Sequence, residues 1–562
     1  AVRGLPGGCR QGTVGAMEEA KETNNGLSTL NGCFVPCLLT ILGAVLFLRL
    51  GFAIGMMGLV GSLVILLVSE MVSCVTITSF SAICTNGRMR GGGAYFMVSR
   101  NLGPAFGGAS GLLFWITYSL NATFNIVACA DILRSTFIPA DWWLGGDGNW
   151  PRVALSTMLS FPLFVVAYKG AGSFSKVNAV VCAGLMLACV VTAGSLFFLQ
   201  ETIWLPGDTE PTFTPFNLQT LRGNLWPQPV ESSECASAGA FGMAQAAQGV
   251  CTPQIVFSVI FPAVVGMMEG LNLSGDLKVP ERSIPLGTIW AVFGAFIIYV
   301  LLMIGQAGTM SRGALQRNMN VMQQTTVGDG AFVVLGVATA CLSTVLGSLF
   351  GAARILQAMA RDKVFPGLSA FEFGTPQGNE PRPAIVLSYL LAQAGLLLGG
   401  LDDVAPLLTN FFLLTYCLTD LSCVLLETSQ VPNFRPMFRC YSWQTSLFNA
   451  ILLVAIMFYL NWIYALCAIA LVLLVYVYLA WRFEGSTQWI DISQAFLFKL
   501  NRSTLISLQA RRQDPKFWRP SLLFVVPYAQ PSREFLSLVD ALSGLARSGL
   551  LLVGQAAVGD AA

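Results

Sequence analysis

The chain has 562 residues, 55% of them hydrophobic and only 11% charged. A soluble domain carries roughly 25% charged residues, so most of this chain does not face water, and a net charge of +2 offers no electrostatic footprint for nucleic acid. With no histidine at all, a histidine-based triad, a histidine proton relay and most metal centres are excluded; with no P-loop, dinucleotide or zinc-finger fingerprint, neither enzyme activity nor a cofactor is expected.

Residues 1–29 are polar and glycine-rich, without a signal-peptide pattern, and are expected to form a tail. A helix needs about 20 apolar residues to cross a bilayer. Segments of that kind run at 31–56, 59–84, 107–138, 151–168, 174–199, 254–276, 285–308, 331–358, 384–401, 404–426, 441–460 and 462–481. The expectation is an all-α polytopic membrane protein with a twelve-span domain over 30–482. The first ten spans read as two sets of five, with two more appended. Most of the 15 cysteines lie in apolar segments and read as small core residues. Cys235 and Cys251 lie in a polar loop and could pair in an oxidising compartment.

The Lys/Arg bias orients the chain. Arg3, Arg10 and Lys21 fall on the side of the termini, with Arg88, Arg90, Arg100, Lys169, Lys176, Lys278, Arg282, Arg354, Arg361, Lys363, Arg382, Arg435, Arg439 and the basic residues from Arg482 onward. The other side keeps Arg49, Arg134, Arg152, Arg222, Arg312 and Arg317. Both termini are therefore expected in the cytosol, and the acidic loop 200–253 outside.

Two spans carry breaks. The first has Gly43 at mid-depth in LLTILGAVLF (38–47), and the sixth has Pro262 and Gly266 in FPAVVGMMEG (261–270). Proline removes a backbone donor and clashes with the preceding turn; glycine accepts the dihedrals of unwound chain. Free backbone groups cannot face lipid, so such a break lines a cavity. The half-helix after it aims amides at an anion, and the one before it offers carbonyls to a cation. Interruptions in corresponding spans of two halves point to a transporter built as a 5+5 inverted repeat. A proline kink without a site is the plainer reading.

Three acids lie inside expected spans: Glu70, Glu269 and Asp420. An ionised acid at such depth costs roughly 3 kcal/mol on insertion scales, which makes each a possible coupling group. Glu70 has no evident partner; protonation or pairing with Arg49 would relieve it. Glu269 sits in the first turn after the sixth-span break, where an acid also suits plain helix capping. Asp420 is four residues after Tyr416, on the same helix face. The tail from 483 onward reads as an amphipathic connecting helix over 488–512, then strand (SLLFVV), helix (SREFLSLVDALSGLARS) and strand (GLLLVG). That is the opening of a cytosolic α/β domain that the chain does not complete.

IFPAVVGMMEGLNLSGDLKVPERSIPLGT (260–288), TNGRMRGGGAYFMVSRNLGPAFGGASG (85–111), PNFRPMFRCYSW (432–443) and KFWRPSLL (516–523) resemble signatures of the cation–chloride cotransporters, solute carrier family 12. TDLSCVLLE (419–427) followed by PNFRP is similar to the divergent branch of cotransporter-interacting proteins that includes member 9. The resemblance covers about 28–558. It implies the amino acid–polyamine–cation (LeuT-like) fold, and a homodimer or a heterodimer with related carriers. It implies chloride sites at Gly43, Ala44 and Val45, and at Gly266, Met267 and Met268 with Tyr416. A small-cation site is implied at Leu39, Leu42, Ala340, Ser343 and Thr344, although these two hydroxyls could merely bond back to their own helix. A potassium site is implied at Thr40, Ile41 and Pro262. There the sequence departs from the family: its tyrosine and threonine ligands are replaced by Asn125 and Val265, and its usual asparagine by Thr40. The implied function is chloride-coupled cation symport in a plasma or endolysosomal membrane. A carrier for an organic amine or amino acid on the same fold, and a non-transporting regulatory partner, are the alternatives.

Overall fold

A computed structural model describes residues 27–86, 92–138, 149–204, 211–227, 253–317, 321–328, 330–375, 380–429, 434–483, 492–510, 521–527, 540 and 550–556. Cys235, Cys251, Arg88 and Arg90 lie outside the described residues. The chain divides into two units, 1–492 and 493–562.

The first unit is helical. A π-helical turn, Leu30–Phe34, leads into α1 (Val35–Ile41), followed by α2 (Val45–Leu48), α3 (Leu50–Cys84), α4 (Gly93–Leu102), α5 (Pro104–Phe137), α6 (Asn149–Lys169), α7 (Ala171–Phe198) and α8 (Leu218–Gly223). Then come α9 (Pro253–Ile260), α10 (Glu269–Asn272), α11 (Pro280–Thr309), α12 (Arg312–Arg317), α13 (Val321–Thr325), α14 (Ala331–Arg361), α15 (Arg382–Gly395), α16 (Leu401–Thr428), α17 (Trp443–Leu460) and α18 (Trp462–Arg482). Among the described residues, ten helical segments are long and apolar enough to cross a membrane; the shorter apolar segments Pro253–Ala263 and Arg382–Leu398 stand where the sixth and ninth spans were expected. The sixth falls short because it is interrupted.

The boundary between the first two spans is a local event. Gly58 has φ +71° inside α3. The helix restarts beyond it with the amides of Leu59 and Val60 bonded to the carbonyls of Asn224 and Leu225, at 2.8 and 3.1 Å. A Cβ at Gly58 would stand 2.7 Å from the Leu225 oxygen. Arg49, counted with the loops from sequence, is instead buried where α2 meets α3.

At the centre, α14 packs most extensively on α5 and α7. Its Gly336, Gly347 and Gly351 let neighbours approach closely. The short α4 is tied to the end of α14: Tyr95 donates to Asp362 Oδ2 at 2.7 Å, and Arg100 pairs with Oδ1 at 2.9 Å.

In the second unit, α19 (Ile492–Ala510) matches the expected connecting helix. Strands β1 (Ser521–Pro527) and β2 (Leu550–Ala556) pair in parallel, with Ser521 opposite Leu550 and Pro527 opposite Ala556. A parallel pair needs a crossover connection, and the helix expected for it lies outside the described residues.

Candidate functional site

Both expected breaks are present. α1 ends at Ile41, Leu42 leaves the helical region (φ −76°, ψ 48°), and α2 begins at Val45. The amides of Gly43, Ala44 and Val45 close no hydrogen bond among the described residues. In the sixth span α9 tightens into a 3₁₀ turn at Phe261–Ala263, consistent with a proline that denies the helix a donor. Gly266 then takes φ +121°, a region open to glycine and costly for other residues. The amides of Gly266, Met267 and Met268 close no hydrogen bond either. The Tyr416 hydroxyl on α16 is buried without a partner, and the Gly266 amide faces it without closing a bond. The ring is held by Phe412 and Phe261 at centroid distances of 6.0 and 6.3 Å.

The two breaks are bound to each other. Thr40 packs directly on Gly266. The Cys37 thiol donates to the Met267 carbonyl at 3.5 Å and accepts from the Gly270 amide at 3.3 Å. Tyr299 of α11 donates to the Ile41 carbonyl at 2.8 Å, with the Ala263 carbonyl 3.5 Å away. Neither Cys37 nor Tyr299 was singled out from sequence; a lone thiol or phenol in an apolar helix gives no signal until a partner strand of chain is known.

The expected cation-binding residues are partly engaged by neighbours. The Ile41 carbonyl accepts from Tyr299. Thr344 bonds back to the Ala340 carbonyl at 2.9 Å, the plainer of its two readings. Ser343 does not bond back: it donates to Asn178 Oδ1 of α7 at 2.9 Å. The Asn178 amide nitrogen is buried without a partner. Thr40 donates to its own Pro36 carbonyl at 2.9 Å. Leu39, Leu42 and Pro262 sit in or beside the breaks. Asn125 keeps an oxygen near the first break, with Oδ1 4.0 Å from where a Cβ at Gly43 would stand. It also lines a cavity of about 30 Å³ with Cys129, Ser160 and Cys341, room for one or two waters.

The three acids have three different environments. Glu269 does not cap its helix: the amides of Glu269, Gly270, Leu271 and Asn272 go to Gly266 O, Cys37 Sγ and, twice, Met268 O. Its carboxylate lies against Gly347 of α14. Asp420 belongs to another cluster, accepting from Asn449 of α17 at 2.7 Å and Thr76 of α3 at 3.0 Å. No bond joins it to either break, so sharing a helix face with Tyr416 did not bring it to the site. Glu70 has no hydrogen-bond partner on either oxygen among the described residues. The expected pairing with Arg49 is therefore absent.

The chain matches the family model described as amino acid permease over residues 32–523. It is 33% identical to solute carrier family 12 member 9 of Danio rerio, over 98% of this chain and 61% of that protein. To vacuolar cation-chloride cotransporter 1 of Saccharomyces cerevisiae it is 30% identical, over 95% of this chain and 46% of the relative. To solute carrier family 12 member 1 of Mus musculus it is 29% identical, over 94% and 49%. The chain thus spans about half to three-fifths of the length of these curated relatives. These are transporters of the membrane, not enzymes. The chain belongs to the amino acid permease family, and its resemblance to the cation–chloride cotransporters of solute carrier family 12 holds.

Proposed function

We propose that this chain is a secondary active transporter that moves chloride together with a cation through the two facing breaks. The observation that carries the reading is the presence of unbonded, buried donors at both breaks. The amides of Gly43–Val45 and of Gly266–Met268 close no hydrogen bond among the described residues, and the Tyr416 hydroxyl has no partner. Buried donors of this kind are costly unless an acceptor fills them, and a dehydrated halide is a fitting acceptor at helix N-termini. For the cation, the carbonyls of Leu39, Thr40 and Pro262 stand at the breaks, and Ser343, bonded to Asn178, is the candidate hydroxyl ligand.

On this reading the first ten spans form a 5+5 inverted repeat with the breaks in its first and sixth members. Residues 1–29 and the partial α/β domain from 483 would lie in the cytosol. The chain would act as a homodimer, or as a heterodimer with related carriers. A relative named as vacuolar favours an internal membrane over the plasma membrane. One observation favours the organic-amine alternative, the buried acid Glu269 beside the break.

The test is flux in vesicles reconstituted with the full chain, with chloride, sodium, potassium and pH changed one at a time. Chloride-dependent, saturable flux is expected. Uptake of an amine without any chloride requirement would overturn the reading.

A further inference from the structure

Glu269 is 1% exposed and its Oε1 has no hydrogen-bond partner among the described residues. Its two oxygens stand 3.2 and 3.6 Å from the position a Cβ at Gly347 would take. One turn on, Asn272 is also 1% exposed, and neither polar atom of its amide has a hydrogen-bond partner among the described residues. It packs against Gly351 and Gly93. Two glycines four apart on α14 thus make room for an acid and an amide three apart on α10, side chains that lie on one face. The first-turn amides of α10 have other acceptors, so helix formation does not explain the acid.

The groups around Glu269 are neutral in their ordinary states. Cys37 faces it from the first span, Tyr118 from α5 and Tyr416 from α16. On α14 the nearest cation is Arg354, two turns from Gly347, or about 10 Å along the axis. On α4, Arg100 and Tyr95 are bonded to Asp362. On α11, Glu281 and Arg282 lie in the first turn, away from the buried face. A buried carboxylate without a counter-charge is strongly disfavoured in its ionised form.

We propose that the cation coupled to chloride is a proton, carried on Glu269. The proposal rests on the preceding reading that chloride binds at 266–268. Hydronium on one side transfers its proton to Glu269 Oε1, leaving water, and chloride then binds the amides one residue away. On the other side chloride leaves and Oε1 returns the proton to water. The loaded and empty carriers differ by H⁺ plus Cl⁻, a neutral pair. Ionised Glu269 and chloride would share one helix N-terminus, and two unit charges about 5 Å apart weaken binding by about a hundredfold at an effective dielectric of 20.

The test uses the full chain in vesicles containing N-methylglucamine as the only other cation, with a trapped pH dye. Isotopic chloride exchange at equal chloride on both sides reports the anion site alone; an inward chloride gradient reports coupling. Wild type is expected to exchange chloride, to lose that exchange as pH rises from 6 to 8, and to acidify the lumen under the gradient. Glu269→Gln is expected to exchange chloride equally at both pH values and to give no acidification. Gly347→Ala, which displaces the carboxylate, is expected to shift the pH midpoint and serves if the glutamine variant does not fold. Exchange in wild type that is independent of pH and without acidification overturns the proton proposal and leaves the chloride site standing. Absence of any wild-type exchange overturns the site itself.

Discussion

A Cβ on Gly266 would stand 2.5 Å from Cγ2 of Thr40 and 2.8 Å from its Cβ. The middle of the sixth span thus lies against the last turn of α1, and the two breaks form one place. Gly266 is required twice, for its φ of +121° and for this contact. Gly266→Ala is therefore expected to reduce chloride flux at least tenfold while the protein still reaches the membrane. Adding Thr40→Ala should not restore it, because the dihedral strain remains. Radiolabelled chloride uptake with surface labelling decides the matter, and normal flux in Gly266→Ala removes this break from the site.

Tyr299 clamps the two breaks from α11. Tyr299→Phe keeps the ring and strands the Ile41 carbonyl. A cost of about 1 kcal/mol is expected, seen as a fall of a few degrees in the melting temperature of purified protein. Chloride affinity should weaken with it, since the relative position of the breaks is what the phenol holds. An unchanged melting curve together with unchanged affinity means the hydroxyl does nothing there.

Potassium dependence is expected to be weak in the wild type. Val265 offers no oxygen where the resembling family has a threonine, and Asn125 stands where it has a tyrosine. The double variant Val265→Thr, Asn125→Tyr should raise potassium-dependent chloride uptake severalfold. Saturable potassium-driven uptake already present in the wild type contradicts this.

Asp420 is assigned a structural part. Its Oδ2 gathers Asn449 and Thr76 from two other spans. Asp420→Asn keeps an acceptor and should preserve both folding and transport. Asp420→Ala strands buried donors and should cost about 1–3 kcal/mol, read as lower melting temperature and yield. A folded Asp420→Asn protein that no longer transports would return this acid to the site.

Much of the architecture was legible because single residues impose it locally. Length and hydropathy anticipated ten helical segments long enough to cross a membrane among the described residues, and the gap expected between the first two coincides with Gly58. Pro262, Gly266 and Gly43 announced the breaks because proline withholds a backbone donor and glycine accepts unwound dihedrals. The acids were visible but their roles were not: Glu70, Glu269 and Asp420 look alike in an apolar run, and the structure gives them no partner, a glycine groove and a hydroxyl–amide cluster respectively.

The sequence by itself determined that this is a membrane protein of many helices, that two of those helices are broken, and which residues break them. These follow from hydropathy and from backbone chemistry, which act within one segment. Only the tertiary structure decided that Thr40 meets Gly266, that Cys37 and Tyr299 tie the breaks together, and that Ser343 turns to Asn178 while Thr344 bonds to its own helix. A buried polar atom takes whichever partner the packing brings within about 3 Å. Those partners come from distant spans, 258 residues apart for Ile41 and Tyr299 and 344 for Thr76 and Asp420, and no local pattern encodes such distances.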